Sequence, residues 1–329
     1  MARVSLVVHG RGRGHASRAL ACARALADAG HELRVFAGGD SEYVLKDMSD
    51  FSSIPVVRPG PGMPGAWLRR LTSDARRFAA ADPECVVSDG DQPCLVHARR
   101  KQIPSVAVDH GLALTHARLP VRPPALARLY ERLNNAPLAL ADRLVAVHFL
   151  PFTADDPRVA AARPDVRDDL RGPVTRAGFF LAYFRDDNGA GPLALALAAG
   201  ADVVLFAARD PGLPGLRVHP LDRAAFADHL RRCDGVITSA GSNVLAECVL
   251  LGKPALALYR PGDAEQALNA RLAEHAGVAM ARDLTALTAA DVRTFLARAR
   301  AQDFARVDLQ AALPPVSEVV VAAVAGLLV

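Results

Sequence analysis

Short apolar runs alternate with segments of helical periodicity along most of the chain. Val4-Ser5-Leu6-Val7-Val8 reads as a strand, Gly10-Arg11-Gly12-Arg13-Gly14 as a turn, and Ala16, Leu20, Ala23 and Ala27 as one face of a helix that Gly30 stops. The same unit recurs with strands predicted over 32–36, 85–87, 105–108 and 144–149. Strands this apolar, separated by helices, suit a parallel sheet covered on both faces. Residues 154–171 break the pattern with clustered Asp, Arg and Pro and are predicted as a linker. A second series follows, with strands predicted over 179–184, 203–206, 236–239 and 255–259. The expectation is an α/β protein with two doubly wound Rossmann-like domains, residues 1–171 and 172–312, facing each other across a ligand-binding cleft. Residues 313–329 are predicted as a terminal helix packing back toward the first domain.

Composition narrows the class. The chain has 329 residues, 51% hydrophobic and 22% charged, which excludes disorder and leaves ample apolar surface for two cores. Its 39 basic residues are nearly balanced by 35 acidic ones and only 5% of residues are aromatic, so no nucleic acid is expected as a partner. The five cysteines form no CxxC pair and several sit in apolar runs, as expected for buried free thiols in the cytoplasm rather than disulfides or a metal site. The run from Met1 to Val8 is too short for a secretory leader, and Val319 to Val329 falls short of the roughly 20 residues that cross a bilayer. Arg76-Arg77 and Arg99-Arg100-Lys101 suit a solvated face or peripheral contact with an anionic membrane surface.

Polar residues cluster where the predicted strands end, the edge at which open α/β sheets bind ligands. After the first strand the glycines are spaced GxGxG rather than GxGxxG, and no acidic residue closes the second strand, which argues against a nicotinamide enzyme. His15 follows the glycines at a helix start and is a candidate general base, while Asp89, closing its own strand, is the carboxylate best placed to fix its tautomer. Asp91, before Gln92-Pro93, also has the pattern of a helix N-cap. Asp109 and His110 end the next strand and form a reserve acid/base pair. In the second series Ser239-Ala240-Gly241-Ser242-Asn243 ends a strand in small residues and opens a helix whose free amides can cradle a phosphate. Glu247 lies one turn further on and can accept both hydroxyls of a ribose, whereas Glu265, Gln266 and Asn269 offer mixed donors and acceptors, as sugar hydroxyls require.

Ser239-Ala240-Gly241-Ser242 through Glu247, Leu251-Gly252-Lys253-Pro254, Glu265-Gln266 and Asn269-Ala270 resemble the donor signature of GT-B fold glycosyltransferases, in particular the MurG group of family 28. The run from Gly10 to Arg18 is similar to that group's glycine loop, and Val86 to Pro93 to its fourth-strand motif. The resemblance implies inverting transfer of a sugar from a nucleoside diphosphate sugar, UDP first, to an acceptor hydroxyl, with no cofactor and no divalent ion. It casts His15 as base and Asp89 as its orienter. Gly12, Gly14, Asp91 and His110 would face a small-molecule or lipid-linked acceptor. Ser239, Gly241, Ser242, Asn243 and Glu247 would hold the nucleotide, and Glu265, Gln266 and Asn269 the sugar. The chain departs from the group at Arg185-Asp186-Asp187-Asn188-Gly189-Ala190-Gly191, where relatives carry a Gly/Ser-rich phosphate loop, and at His110, near the place of a glutamate. The stretch from Pro59 to Arg70, with Trp67, reads as a flexible acceptor lid. Rival readings are a nucleotide-sugar epimerase on the same scaffold and a non-catalytic nucleotide-sugar-binding protein.

Overall fold

A computed structural model describes residues 1–10, 13–57, 63–122, 125–184 and 189–329. The chain divides into two compact units, the first built on Met1–Arg118, Ala125–Asp165 and Leu313–Val329, the second on Leu119–Pro124 and Val166–Ala312.

The first unit holds strands β1 (Arg3–Val8), β2 (Glu32–Ala37), β3 (Phe51–Ser53), β4 (Cys85–Asp89), β5 (Ser105–Asp109), β6 (Arg143–Val147) and β7 (Val159–Ala162). They form one parallel sheet in the order β3-β2-β1-β4-β5-β6-β7. The second unit holds β8 (Phe180–Tyr183), β9 (Val203–Phe206), β10 (Arg217–His219), β11 (Gly235–Ser239), β12 (Ala255–Tyr259) and β13 (Ala279–Asp283). Its sheet is parallel in the order β10-β9-β8-β11-β12-β13. Each sheet winds outward one way and then the other, so each has a switch point, between β1 and β4 in the first and between β8 and β11 in the second. Chains leaving such neighbours diverge to opposite faces and open a crevice at the carboxyl edge.

Period-two alternation sends neighbouring side chains to opposite faces of the first sheet. Leu6, Val8, Val87 and Val106 pack with the helix Arg13–Asp28 and with Val316, Val320 and Val324 of the helix Val316–Ala325. Val7, Phe36, Val86 and Ala107 face Phe78, Leu95 and Leu112 on the other side. The four-residue spacing of Val316, Val320 and Val324 gives the last helix a single apolar stripe, and Ser317 anchors its first turn by donating to Asp165 through both its amide and its hydroxyl. The second unit centres on Phe180, Leu205, Ile237, Leu256 and Phe295. Each such side chain, fully buried, contributes on the order of 2 kcal/mol. No helix among the described residues is long and apolar enough to cross a membrane.

Two sequence expectations are corrected here. The segment 154–171 is not a plain linker, because Val159–Ala162 joins the first sheet as β7 and Asp168–Leu170 forms a 3-10 turn. The stretch read as a lid is helical from Met63 to Ala81, with Pro64 in the first turn, where its missing N–H costs nothing. Trp67 and Arg70 therefore ride on a helix, while residues 58–62 lie outside the described set.

Candidate active site

At the first switch point the helix Arg13–Asp28 leaves β1 and brings His15 across to the end of β4. The His15 Nδ1 lies 2.6 Å from Asp89 Oδ1. Arg18, one turn along the same helix, grips that carboxylate with both arms, its Nε donating to Oδ2 at 2.7 Å and its Nη2 to Oδ1 at 2.5 Å. Asp89 and Arg18 are buried, while the His15 side chain keeps a quarter of its surface open, at 25%. Burial pushes the Asp89 carboxyl up, but the Arg18 charge and the bonds from His15 and Arg18 outweigh it and leave the pKa below its ordinary value. An ionised carboxylate only accepts, so Nδ1 of His15 carries the proton and Nε2 presents its lone pair.

Gly90 completes this corner. Its φ of +68° suits glycine, and a Cβ there would stand 2.8 Å from His15 Cε1 and 3.0 Å from Asp109 Oδ2. Asp109, in register beside Ala146 at the end of β5, accepts from the Gly111 amide at 2.6 Å. His110 is buried, donates from Nδ1 to the Val147 carbonyl at 2.9 Å and stacks on the buried His148 at 5.1 Å between ring centres. Burial, with the charge of His110 adding to it, depresses the His148 pKa to about 3. Asp91 caps the helix Gln92–Lys101 by accepting from the Cys94 amide and pairs with Arg70 at 2.9 Å. Arg70 also bonds Asp74, and all three side chains are buried. Asp91 thus serves the fold, its N-cap pattern being the feature that decides its place. Gly14 lies in the first turn of its helix beside His15, and Gly12 lies outside the described residues.

At the second switch point Thr238 donates to the Tyr183 carbonyl at 2.7 Å and pins the ends of β11 and β8 together. A helix starts beyond each strand, Ser242–Leu251 after β11 and Ala190–Ala198 after β8, with Gly241 and Gly189 at their N-caps and no capping side chain. Other helices of this unit are capped differently: Asp222 accepts from the Ala225 amide, Asp263 from that of Gln266, and Thr288 from that of Asp291. Among the described residues the helix Ser242–Leu251 therefore keeps the amides of Ser242 and Asn243 unspent, a ready anion site, whereas Pro192 removes one donor from the first turn of Ala190–Ala198. Nothing lies within 4 Å of where a Gly241 Cβ would stand. Ser239 and Ser242 are half-buried and Asn243 is exposed at the same edge, whereas residues 185–188 of the altered loop lie outside the described set.

Glu247 is half-buried, with Oε1 3.2 Å from Arg167 Nε. Burial raises its pKa above the ordinary value, against the opposing charge of Arg167. Glu265 is exposed and Gln266 half-buried at the start of the helix Ala264–His275. Asn269 is fully buried and donates to the Ala240 carbonyl at 3.2 Å, so it holds the turn before Gly241 rather than lining open space. Lys253, in the motif Gly252-Lys253-Pro254, donates to the carbonyls of Thr175 and Cys233 and is structural. All five cysteines are buried free thiols, and burial pushes Cys85 and Cys233 up to about 12. Among the described residues no group of three or more His, Cys, Asp or Glu is placed to hold a metal ion.

The structure thus joins His15 to Asp89, and it adds three residues that sequence reasoning passed over. Arg18 had a signal in its three-residue spacing from His15, and Gly90 in its place after a strand-ending carboxylate. Arg167 had none, sitting in what read as a linker.

Two parallel α/β units with polar switch points make up a GT-B fold, and comparison with known proteins names the family. The sequence profile of glycosyl transferase family 1 matches residues 63–300, and the chain belongs to that family. Among solved structures, MurG of Acinetobacter baumannii superposes with a TM-score of 0.69 at 18% identity, covering 98% of this chain and 99% of that one. The glycosyltransferase SsfS6 of Streptomyces sp. SF2575, complexed with thymidine diphosphate, gives 0.66 at 17% identity, covering 97% and 98%. The glycosyltransferase of kitacinnamycin gives 0.68 at 17%, covering 98% of each chain. No curated protein matches the sequence significantly.

Proposed function

We propose that the protein transfers a sugar, with inversion, from a nucleoside diphosphate sugar to an acceptor hydroxyl in the cytoplasm, with His15 as general base and Asp89 as its orienter. The observation that carries this reading is the His15 Nδ1 contact to Asp89 at 2.6 Å, which leaves Nε2 to take a proton. A deprotonated hydroxyl attacks the anomeric carbon from the face opposite the leaving diphosphate, so a single displacement inverts that centre. The diphosphate gains charge as it leaves, and the amides of Ser242 and Asn243, free among the described residues, suit that charge without a divalent ion. The complex of SsfS6 with thymidine diphosphate supports a nucleoside diphosphate as the donor's carrier. Glu247, with its carboxylate unbonded by hydrogen among the described residues, supports a ribose-bearing nucleotide, hence UDP before its deoxy counterparts. Ser239, Ser242 and Asn243 line the nucleotide side, Glu265 and Gln266 the sugar, and Gly14 and His110 the acceptor side.

The test is a thermal-shift panel of nucleoside diphosphates and their sugars, followed by transfer assays with chelator present. A cognate nucleotide at 100 times its Kd stabilises the fold by about 2.7 kcal/mol. His15→Ala is expected to keep that shift and lose transfer by about 10²- to 10⁴-fold. Nucleotide-sugar interconversion without an acceptor would indicate an epimerase instead, and unaltered behaviour of His15→Ala a binding module.

A further inference from the structure

An alternating chain of charges runs beside the second switch point. Arg223, the first residue of the helix Arg223–Arg232, places Nε 3.2 Å from Asp169 Oδ2. Asp169 Oδ1 lies 3.2 Å from Arg167 Nε, and that same nitrogen is 3.2 Å from Glu247 Oε1. The series ends at Glu247, one turn inside the uncapped helix Ser242–Leu251. Arg167 and Glu247 are largely shielded, with side-chain exposures of 15% and 18%, while Arg223 at the far end reaches solvent at 44%. The Arg167 contact is one of charge rather than a bidentate fork, since neither Nε nor Nη2 makes a hydrogen bond there. The carboxylate is therefore held by a neighbouring cation while its lone pairs stay unspent. Without Arg167, Glu247 would lose the nearer of the two cations that act on it, leaving the like charge of Asp169 opposed by Arg223 alone.

We propose that Arg167 is the positioning residue for nucleoside recognition: it fixes Glu247 as an ionised acceptor for both hydroxyls of a ribose, so that the site prefers ribonucleotides to 2′-deoxyribonucleotides. This rests on the donor reading above. Asp169 shares Arg167 with Glu247 and tempers its pull, and Arg223 occupies the second oxygen of Asp169 from the neighbouring helix.

The experiment is calorimetric titration of the full-length protein with UDP and with 2′-deoxy-UDP. Wild type is expected to bind UDP about tenfold more tightly than the deoxy compound, the usual scale of a hydrogen bond to a charged group. Arg167→Met should weaken UDP about tenfold and leave 2′-deoxy-UDP nearly unchanged, and Arg167→Lys should recover part of the difference. Arg167→Met combined with Glu247→Gln should bind UDP no more weakly than Glu247→Gln alone. Asp169→Asn, which frees Arg167 for Glu247, should keep or widen the preference, and it decides the matter where Arg167→Met does not fold. Equal losses for both nucleotides in Arg167→Met, or loss of the preference in Asp169→Asn, would overturn the role of Arg167. Loss of the preference in Glu247→Gln but not in Arg167→Met would also overturn it while leaving the donor site standing. Failure of wild type to bind any nucleoside diphosphate would instead remove the donor reading and this inference with it.

Discussion

Both sheets reverse direction at their centre, yet the two reversals are furnished differently. At β1 and β4 the polar groups are charged and spoken for: His15 and Arg18 converge on Asp89, and Asp109 accepts a backbone amide. At the end of β11 Ser239, Ala240 and Gly241 are small, and among the described residues the helix start beyond them keeps the amides of Ser242 and Asn243 free. A carboxylate-braced imidazole is equipped to move a proton, while bare amides are equipped to hold an anion without moving at all. One topology, repeated in a single chain, thus carries two differently furnished switch points, and the side chains there make the difference.

The largest effect expected from breaking the first arrangement comes from Asp89→Asn. The amide leaves Arg18 buried without its counter-charge, costing about 3 to 5 kcal/mol in a urea titration. The surviving fold should lose at least about 10²-fold in turnover, because an asparagine can present the wrong tautomer to His15. The folded Asp89 pKa is lowered, so its stabilisation is full above the ordinary carboxylate value of 3.8 and is lost as pH falls through the folded value. Asp89→Asn should lack that acid limb.

Next in size is a pH effect at His148. Its folded pKa is about 3 against an ordinary 6.5, so between these values the unfolded chain takes up a proton that the folded chain refuses. Stability therefore falls as pH drops through that window, by about 2 kcal/mol from pH 7 to pH 5. Denaturation of His148→Gln at both pH values should show that slope flattened, while an unchanged slope would place the acid sensitivity elsewhere. A smaller loss is expected for Gly90→Ala, at about 1 to 2 kcal/mol for the left-handed backbone. Its Cβ would displace the His15 ring, so turnover should fall about tenfold while nucleotide affinity stays as in wild type.

The central strands were legible in the sequence because they are buried on both faces and read as unbroken apolar runs, as in β4 and β5. The strands that escaped notice, β3, β7, β10 and β13, are the edges of the two sheets. Phe51–Ser53 and Arg217–His219 span only 3 residues each and are partly exposed, and Val159–Ala162 is mostly alanine inside a polar stretch, so pairing rather than propensity makes them strands. The site was legible where one element carries its chemistry in consecutive residues, as at Ser239 to Ser242. It was hidden where partners come from distant segments, as with Arg70 on Asp91 and Arg167 on Glu247. Pro and Gly before Trp67 suggested a loop because proline ends helices as readily as it begins them.

The division of labour between the two switch points stands or falls on the helix start at Gly241. Its φ of −71° and ψ of 137° suit an N-cap residue, and the open space beside it admits a side chain. Gly241→Asp should therefore cap the helix and leave stability equal or higher by a few tenths of a kcal/mol. The new carboxylate would use the free amides and repel a diphosphate, so a calorimetric titration with UDP should show affinity lower by about 10²-fold. A stable Gly241→Asp protein that binds UDP as tightly as wild type would contradict this assignment.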